Sequence, residues 1–282
     1  MSLAALALSL AFGVLVGLLS GLVGIGGGAI MVPFLYLVFA APSFSGVAFE
    51  PQHEAIVAHA TSLLVIVPTA LSGVRTYQKS SLIDWSVVLP MAGGAVVAAI
   101  GGAFLAELLP GPVLKAGFGL SLFLMGARML WPAAPGSAKT SREPGEPLRP
   151  VVSILCGCGV GLFSALMGVG GGLVAIPLLI YVVGLELSHV AATSIGLVVF
   201  AAVSGTITYV IGGWGTPGLP PGTVGYVFAP AALALMPGSI VGARWGALLN
   251  QRLNAGLLKV IFGALFLIEG AELLVSNVPG LF

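Results

Sequence analysis

The chain has 282 residues, of which 58% are hydrophobic and 7% charged, with a mean hydropathy of +1.14. A soluble domain carries about 25% charged residues, so this composition excludes a globular domain and defines an integral membrane protein. A net charge of +1 says little about partners, no basic cluster points to nucleic acid, and two cysteines, Cys156 and Cys158, are too few for a disulfide framework.

The apolar runs are long and do not alternate, which predicts helices and not a β-barrel. The first run, 3–22, lacks a basic n-region and a cleavage site and reads as a retained transmembrane segment. The second, 29–41, lies behind the run Gly24-Ile25-Gly26-Gly27-Gly28 and carries Pro33. Runs at 55–74, 86–106 and 113–131 follow. A proline-rich polar linker, 132–150, holds Lys139, Arg142, Glu143, Glu146 and Arg149. Five further runs then succeed one another at 151–167, 173–184, 190–211, 225–249 and 257–275.

The second set repeats the first. Gly168-Val169-Gly170-Gly171-Gly172 and Pro177 lie 144 residues (168 − 24) beyond the first glycine run and Pro33. Ser20/Ser164, Lys115/Lys259, Gly119/Gly263 and Gly126/Gly270 share that offset. Ala60-Thr61-Ser62 matches Ala192-Thr193-Ser194 at 132 (193 − 61), as do Gly73/Gly205 and Tyr77/Tyr209. A longer loop before Thr61 (Ala41 to Glu54) and another after Thr193 (Gly212 to Gly225) reconcile the offsets. The reading is a duplication: a first repeat at 1–131, the linker at 132–150 and a second repeat at 151–282.

A crossing needs about 20 residues. Residues 3–41 are too long for one span and are broken by glycine, so they read as a hairpin, re-entrant or doubly crossing. Three crossings follow, the parity is odd, and the second repeat is inverted. Charge supports this. The inverted topology gathers Arg75, Lys79, Arg128, Lys139, Arg142, Arg149, Arg252 and Lys259 on one side, with Arg244 able to snorkel there, and leaves only Lys115 opposite. The expected fold is therefore an all-α membrane protein of two inverted-topology repeats, each a glycine-broken pair plus three transmembrane helices. The linker is expected in the cytoplasm and both termini in the periplasm.

Glycine runs are poor inside a helix. A short helix is expected to start after each run, near Ala29 and Leu173, with its first N–H groups and its positive dipole end facing the loop. Gly24, Gly26, Gly27 and Gly28, with Gly168, Gly170, Gly171 and Gly172, then form an anion site near the membrane midplane. Close helix packing is the competing use of these glycines. The run also scans as Gly-x-Gly-x-x-Ala, but the strand–turn–helix unit and later acid of a dinucleotide site are missing, so no cofactor is expected.

Thr61, Ser62, Thr193 and Ser194 are further candidates, since hydroxyls can donate to an oxyanion, although they can equally satisfy their own backbone. Ser20 and Ser164 lie four residues before the glycines. His59 could carry protons, which allows proton or other ion coupling, or it could be a packed side chain. Glu269 and Arg244 are the deeper ionisable residues. Cys156 and Cys158 fit small packing positions. No catalytic constellation or metal-ligand spacing is present.

The glycine runs with Pro33 and Pro177, the Ala-Thr-Ser triplets with Gly73 and Gly205, and the late Gly126 and Gly270 together resemble the TauE/SafE family, the sulfite exporter or 4-toluene sulfonate uptake permease family. The resemblance covers nearly the whole chain outside the linker and inserted loops. It implies a multi-pass transporter of the bacterial inner membrane that moves small sulfur-containing anions such as sulfite or organosulfonates. Export by alternating access is the leading expectation. Uptake of a sulfur or carboxylate anion, or a sensor without flux, remains open.

Overall fold

The computed structural model describes residues 3–42, 46–130, 149–252 and 255–277. Most of the linker expected at 132–150, with Lys139, Arg142, Glu143 and Glu146, lies outside them. Ten helices form among the described residues: α1 Leu3–Val23, α2 Gly28–Ala40, α3 Pro51–Gln78, α4 Trp85–Leu108, α5 Gly111–Leu130, α6 Pro150–Met167, α7 Gly172–Tyr181, α8 Leu187–Gly212, α9 Ala229–Asn250 and α10 Ala255–Asn277. Seven are long and apolar enough to cross a membrane: α1, α3, α4, α5, α6, α8 and α9. At 1.5 Å per residue, α2 and α7 reach only about 20 and 15 Å, short of the ~30 Å hydrocarbon core.

Helix boundaries shift from expectation by up to four residues, and two of the shifts have a plain local cause. The third segment starts at Pro51 rather than 55, because Pro51 suits the first helical turn, where its missing N–H costs nothing. The segment expected at 225–249 is helical only from Ala229. Before it, β1 (Thr223–Val224) and β2 (Val227–Phe228) pair antiparallel, Thr223 opposite Phe228 and Val224 opposite Val227. Valine, tyrosine and phenylalanine favour a strand, and Pro230 sets the helix start.

Helix directions follow from which residues meet. Along α1, Gly13, Gly17 and Gly21 lie on the backbone of Leu235, Ser239 and Ala243 of α9, so these helices run parallel. Gly157 and Gly161 of α6 lie likewise on Met91 and Ala95 of α4. Glycine is needed at these points because a Cβ would strike the facing backbone. Thr69 and Ser72 reach Ser239 and Ile240, which places α3 parallel to α9. Ser204 reaches the Val96 carbonyl, and the Asp84 N–H reaches Thr193, which places α8 parallel to α4.

Between the two groups the direction reverses. Gly73 packs on Ile195 while Gly205 packs on Leu63, so α3 and α8 are antiparallel. Gly119 meets Gly270, and Gly126 meets Gly263, so α5 and α10 are antiparallel as well. Helices α1, α3 and α9 thus point one way, and α4, α6 and α8 the other. The stacked rings of Phe12 and Phe34, together with Gly27 against Val16, show α2 folding back along α1.

The contacts are reciprocal at the sequence offsets. Tyr77 donates to the Gly21 carbonyl at 2.6 Å and Tyr209 to the Ala165 carbonyl at 2.8 Å. Ser72 donates to Ile240 and Ser204 to Val96, both at 2.8 Å. The core is the set of faces these contacts join, around Ile66, Leu63, Ile195 and Val198, all fully buried.

Candidate functional site

Both glycine runs leave the helix in the left-handed region. The φ angles of Gly24, Gly26 and Gly27 are 79°, 92° and 82°, and those of Gly168, Gly170 and Gly171 are 67°, 86° and 82°. Only glycine adopts such a succession cheaply. Gly27 and Gly171 are the N-caps of α2 and α7, and neither cap is closed by a side chain. The Gly27 carbonyl accepts from Ile30 and Met31, and that of Gly171 from Val174 and Ala175. Among the described residues, the N–H groups of Gly26, Gly27, Gly28 and Ala29 have no hydrogen-bond partner, nor do those of Gly170, Gly171, Gly172 and Leu173.

The two loops cross. A Cβ on Gly28 would strike Val169 and the Gly168 carbonyl, and one on Gly172 would strike Ile25. Gly26 and Gly170 face the same two side chains: a Cβ at either would lie 3.0 Å from Val198 Cγ1, and at 3.6 or 3.1 Å from Ile66 Cγ2. Ile66 and Val198 are counterparts at the 132 offset (198 − 66), so both loops meet where the helices α3 and α8 cross. Gly24 rests on Ala191, and Gly168 on the backbone and Cβ of His59. The first turns of α2 and α7 therefore converge from opposite directions. Two positive dipole ends with unpartnered donors suit a small anion.

The hydroxyls divide into two groups. Ser20 and Ser164 lie beside the N-caps, with their Cβ atoms 3.2 and 3.1 Å from the positions a Cβ would take on Gly27 and Gly171. Their Oγ atoms, like that of Ser62, are buried without a hydrogen-bond partner. The others are engaged. Thr61 accepts from the Phe228 N–H at 2.9 Å and Thr193 from the Asp84 N–H at 3.1 Å. Ser194 donates to the Gly24 carbonyl at 2.8 Å. Thr61 and Thr193 fasten the starts of α9 and α4, and Ser194 fastens the first glycine loop. A small, half-open, mainly apolar space of about 10 Å³ lies beside Ser20 and Gly27. This conformation is closed around the crossing.

His59 is fully buried, and its Nε2 lies 2.6 Å from the Tyr36 hydroxyl of α2. Lys115 Nζ stands 4.9 Å from the centroid of the Tyr36 ring and 2.8 Å from Glu54 Oε1. Glu54 and Lys115 line a cleft of about 610 Å³ with Gln52, His53, Glu107 and Tyr226, at the end of the molecule where α3 and α5 begin. Sequence reasoning singled out His59 but missed Tyr36 and left Glu54 to a loop. The available signal was that Tyr36 and His59 are polar where their counterparts, Ile180 and Ala191, are apolar.

The remaining candidates sit apart. Arg244 is exposed and Glu269 half-buried. Cys156 is buried in α6 and Cys158 half-buried. Arg75, Lys79 and Arg252 gather at the end where α1, α3 and α9 finish, an end tied together by Asn250 to the Leu22 carbonyl and Ser80 to Gln251.

Seven long apolar helices and two short ones whose first turns cross define a multi-pass helical membrane protein. The chain belongs to the sulfite exporter TauE/SafE family, whose model matches residues 9–273. A probable membrane transporter protein of Haemophilus influenzae is 30% identical over 93% of this chain and 94% of its own length. Probable membrane transporter proteins of Bacillus subtilis and Methanocaldococcus jannaschii are each 27% identical, over 94% and 93% of this chain and 96% and 92% of theirs. No solved structure matches significantly.

Proposed function

We propose that this protein carries small sulfur-containing anions, sulfite or organosulfonates, out of the cell through the crossing of its glycine loops. The observation that carries this is the convergence of two N-terminal helix turns whose N–H groups lack partners, with the Ser20 and Ser164 hydroxyls beside them. Backbone donors and hydroxyls bind an anion without a cation that would hold it too tightly for release. No catalytic step is needed.

The halves 1–131 and 151–282 act as inverted repeats about an axis through this crossing, joined by the linker 132–150. The opposed directions of α3 and α8, and of α5 and α10, support that reading. The membrane is the bacterial inner membrane. The basic end with Arg75, Lys79 and Arg252 faces the cytoplasm, which leaves both termini periplasmic. Alternating access opens the crossing first to one side and then to the other. A negative interior favours anion exit by about 2.3 kcal/mol per charge per 100 mV, so export can run without a coupling ion.

One observation favours a second reading, proton-coupled uptake: the Glu54–Lys115–Tyr36–His59 chain leads to a cleft at the end opposite the basic one. Flux of labelled sulfite and sulfonates in oriented proteoliposomes, with imposed voltage or imposed pH gradient, tests both. Voltage-driven flux carries export; flux driven only by the pH gradient carries uptake; no flux with any anion sinks the transporter reading. Cysteines placed at Ser80 and Thr216 in a Cys156- and Cys158-free background should label from opposite faces. Labelling from one face would overturn the inverted topology.

A further inference from the structure

We propose that His59 takes up one proton each time an anion enters the glycine crossing, and that Tyr36 delivers it from the cleft. This rests on the anion-site reading above, in its second, proton-coupled form, and goes beyond it by naming the proton's acceptor and its route.

The geometry is a row of polar groups through an otherwise apolar wall. Its mouth is the cleft lined by Glu54 and Lys115, joined at 2.8 Å. Its middle is Tyr36, 6% exposed, with Lys115 over its ring. Its inner end is His59, fully buried, with Nε2 at 2.6 Å from the Tyr36 hydroxyl. Behind the imidazole, Gly168 lies directly on the residue's own backbone, so the second glycine loop is its neighbour.

Helix α2 presents Tyr36; α5 presents Lys115 and the apolar Phe118. The end of α6 presents the Leu166 carbonyl on the Nδ1 side, without a well-formed hydrogen bond. Tyr36 in turn faces Glu54 of α3 and Tyr209 of α8. Among the described residues no carboxylate touches the imidazole, and Lys115 is a like charge. An imidazolium here would be a buried cation without a partner, which is costly. An anion held by the adjacent N–H groups supplies that partner. Binding of the anion and of the proton then favour each other by the same factor.

The step is balanced and simple. The Tyr36 O–H bond breaks as its proton passes to Nε2, and the phenol oxygen takes a proton from a hydronium ion on the cleft side, which leaves water. Imidazole becomes imidazolium and no other bond changes. Glu54 and Lys115 stay paired and keep the mouth polar. A monovalent sulfonate and its proton form a pair without net charge. Such a pair moves down combined anion and pH gradients and is indifferent to voltage.

The inner part of the row is confined to one half, whereas Lys115 and Glu54 recur as Lys259 and Glu186. The counterparts of Tyr36 and His59 are Ile180 and Ala191, so the other face of the crossing has no equivalent route. Proton entry is thereby one-sided.

The test is calorimetric. Purified protein is titrated with methanesulfonate and sulfoacetate, whose sulfonate stays ionised throughout, in two buffers of different ionisation enthalpy at neutral pH. The expected result is uptake of about one proton per anion bound. His59→Gln should bind the anion with uptake reduced at least fivefold. Tyr36→Phe should keep the equilibrium uptake but slow it at least tenfold in a stopped-flow dye measurement, a change that a merely structural tyrosine would not produce. Anion binding without proton uptake in the unaltered protein, or undiminished uptake in His59→Gln, overturns this proposal and leaves the anion site standing. Failure of every sulfonate and of sulfite to bind overturns both together.

Discussion

The two glycine loops have the same backbone and different surroundings. Their φ angles agree within about 12° position by position, they cap their helices in the same way, and they face the same pair, Ile66 and Val198. Yet Gly168 rests on His59, with Tyr36 behind it, whereas Gly24 rests on Ala191. Symmetry is kept where the backbone builds the crossing and lost where side chains approach it from the cleft. The shared part is what any bound anion would meet; the unshared part gives the two directions different chemistry.

The largest effect should come from breaking the shared part. Gly28→Val and Gly172→Val each push a side chain into the other loop's backbone. Each should cut anion flux in proteoliposomes more than a hundredfold and destabilise by about 1–3 kcal/mol, the usual cost of overpacking, read as a lowered Tm. Comparable losses in the two variants uphold the equivalence of the loops; a tolerated change in one half would deny it.

Smaller and cleaner are Ser20→Ala and Ser164→Ala. Losing a hydrogen bond to a charged group costs about 1.5–3 kcal/mol, so Kd for the anion should rise tenfold or more while Tm stays put. Unchanged Kd in both would remove the hydroxyls from the site. Thr61→Val and Thr193→Val should do the reverse. Each removes a hydroxyl that accepts from a buried N–H, of Phe228 or Asp84. A stability loss of about 1–3 kcal/mol is expected, with Kd moved less than twofold. A Kd effect as large as that of the serines would return the threonines to the site.

Much of the crossing was legible because glycine runs are anomalous in apolar sequence and because they occur twice. The offsets also identified which residues are equivalent. They could not say which residues touch, since equivalence under a two-fold axis does not imply contact. That Gly28 lies on Val169, and Gly172 on Ile25, depends on where the axis runs. Thr61 and Thr193 were rightly seen as a pair, but their acceptor role for Phe228 and Asp84 joins strands of chain over 100 residues apart. Tyr36 was overlooked because a tyrosine in a short apolar helix reads as packing. The β1–β2 turn was hidden because its residues continue the apolar run of α9.

The glycine edge of α1 has a consequence for how the protein is made. Gly13, Gly17 and Gly21 are shaped for α9, whose first contact residue, Leu235, emerges about 220 residues later. At roughly 5–20 residues per second, α1 waits in the bilayer for some 10–40 s with its partner unsynthesised. Helices α4 and α6 wait far less. Helix α4 can therefore close on α6 well before α1 meets α9, with α5 and α10 joining after that, and a ribosome stalled before α9 leaves an N-terminal helix with an open groove for the cell's quality control to read.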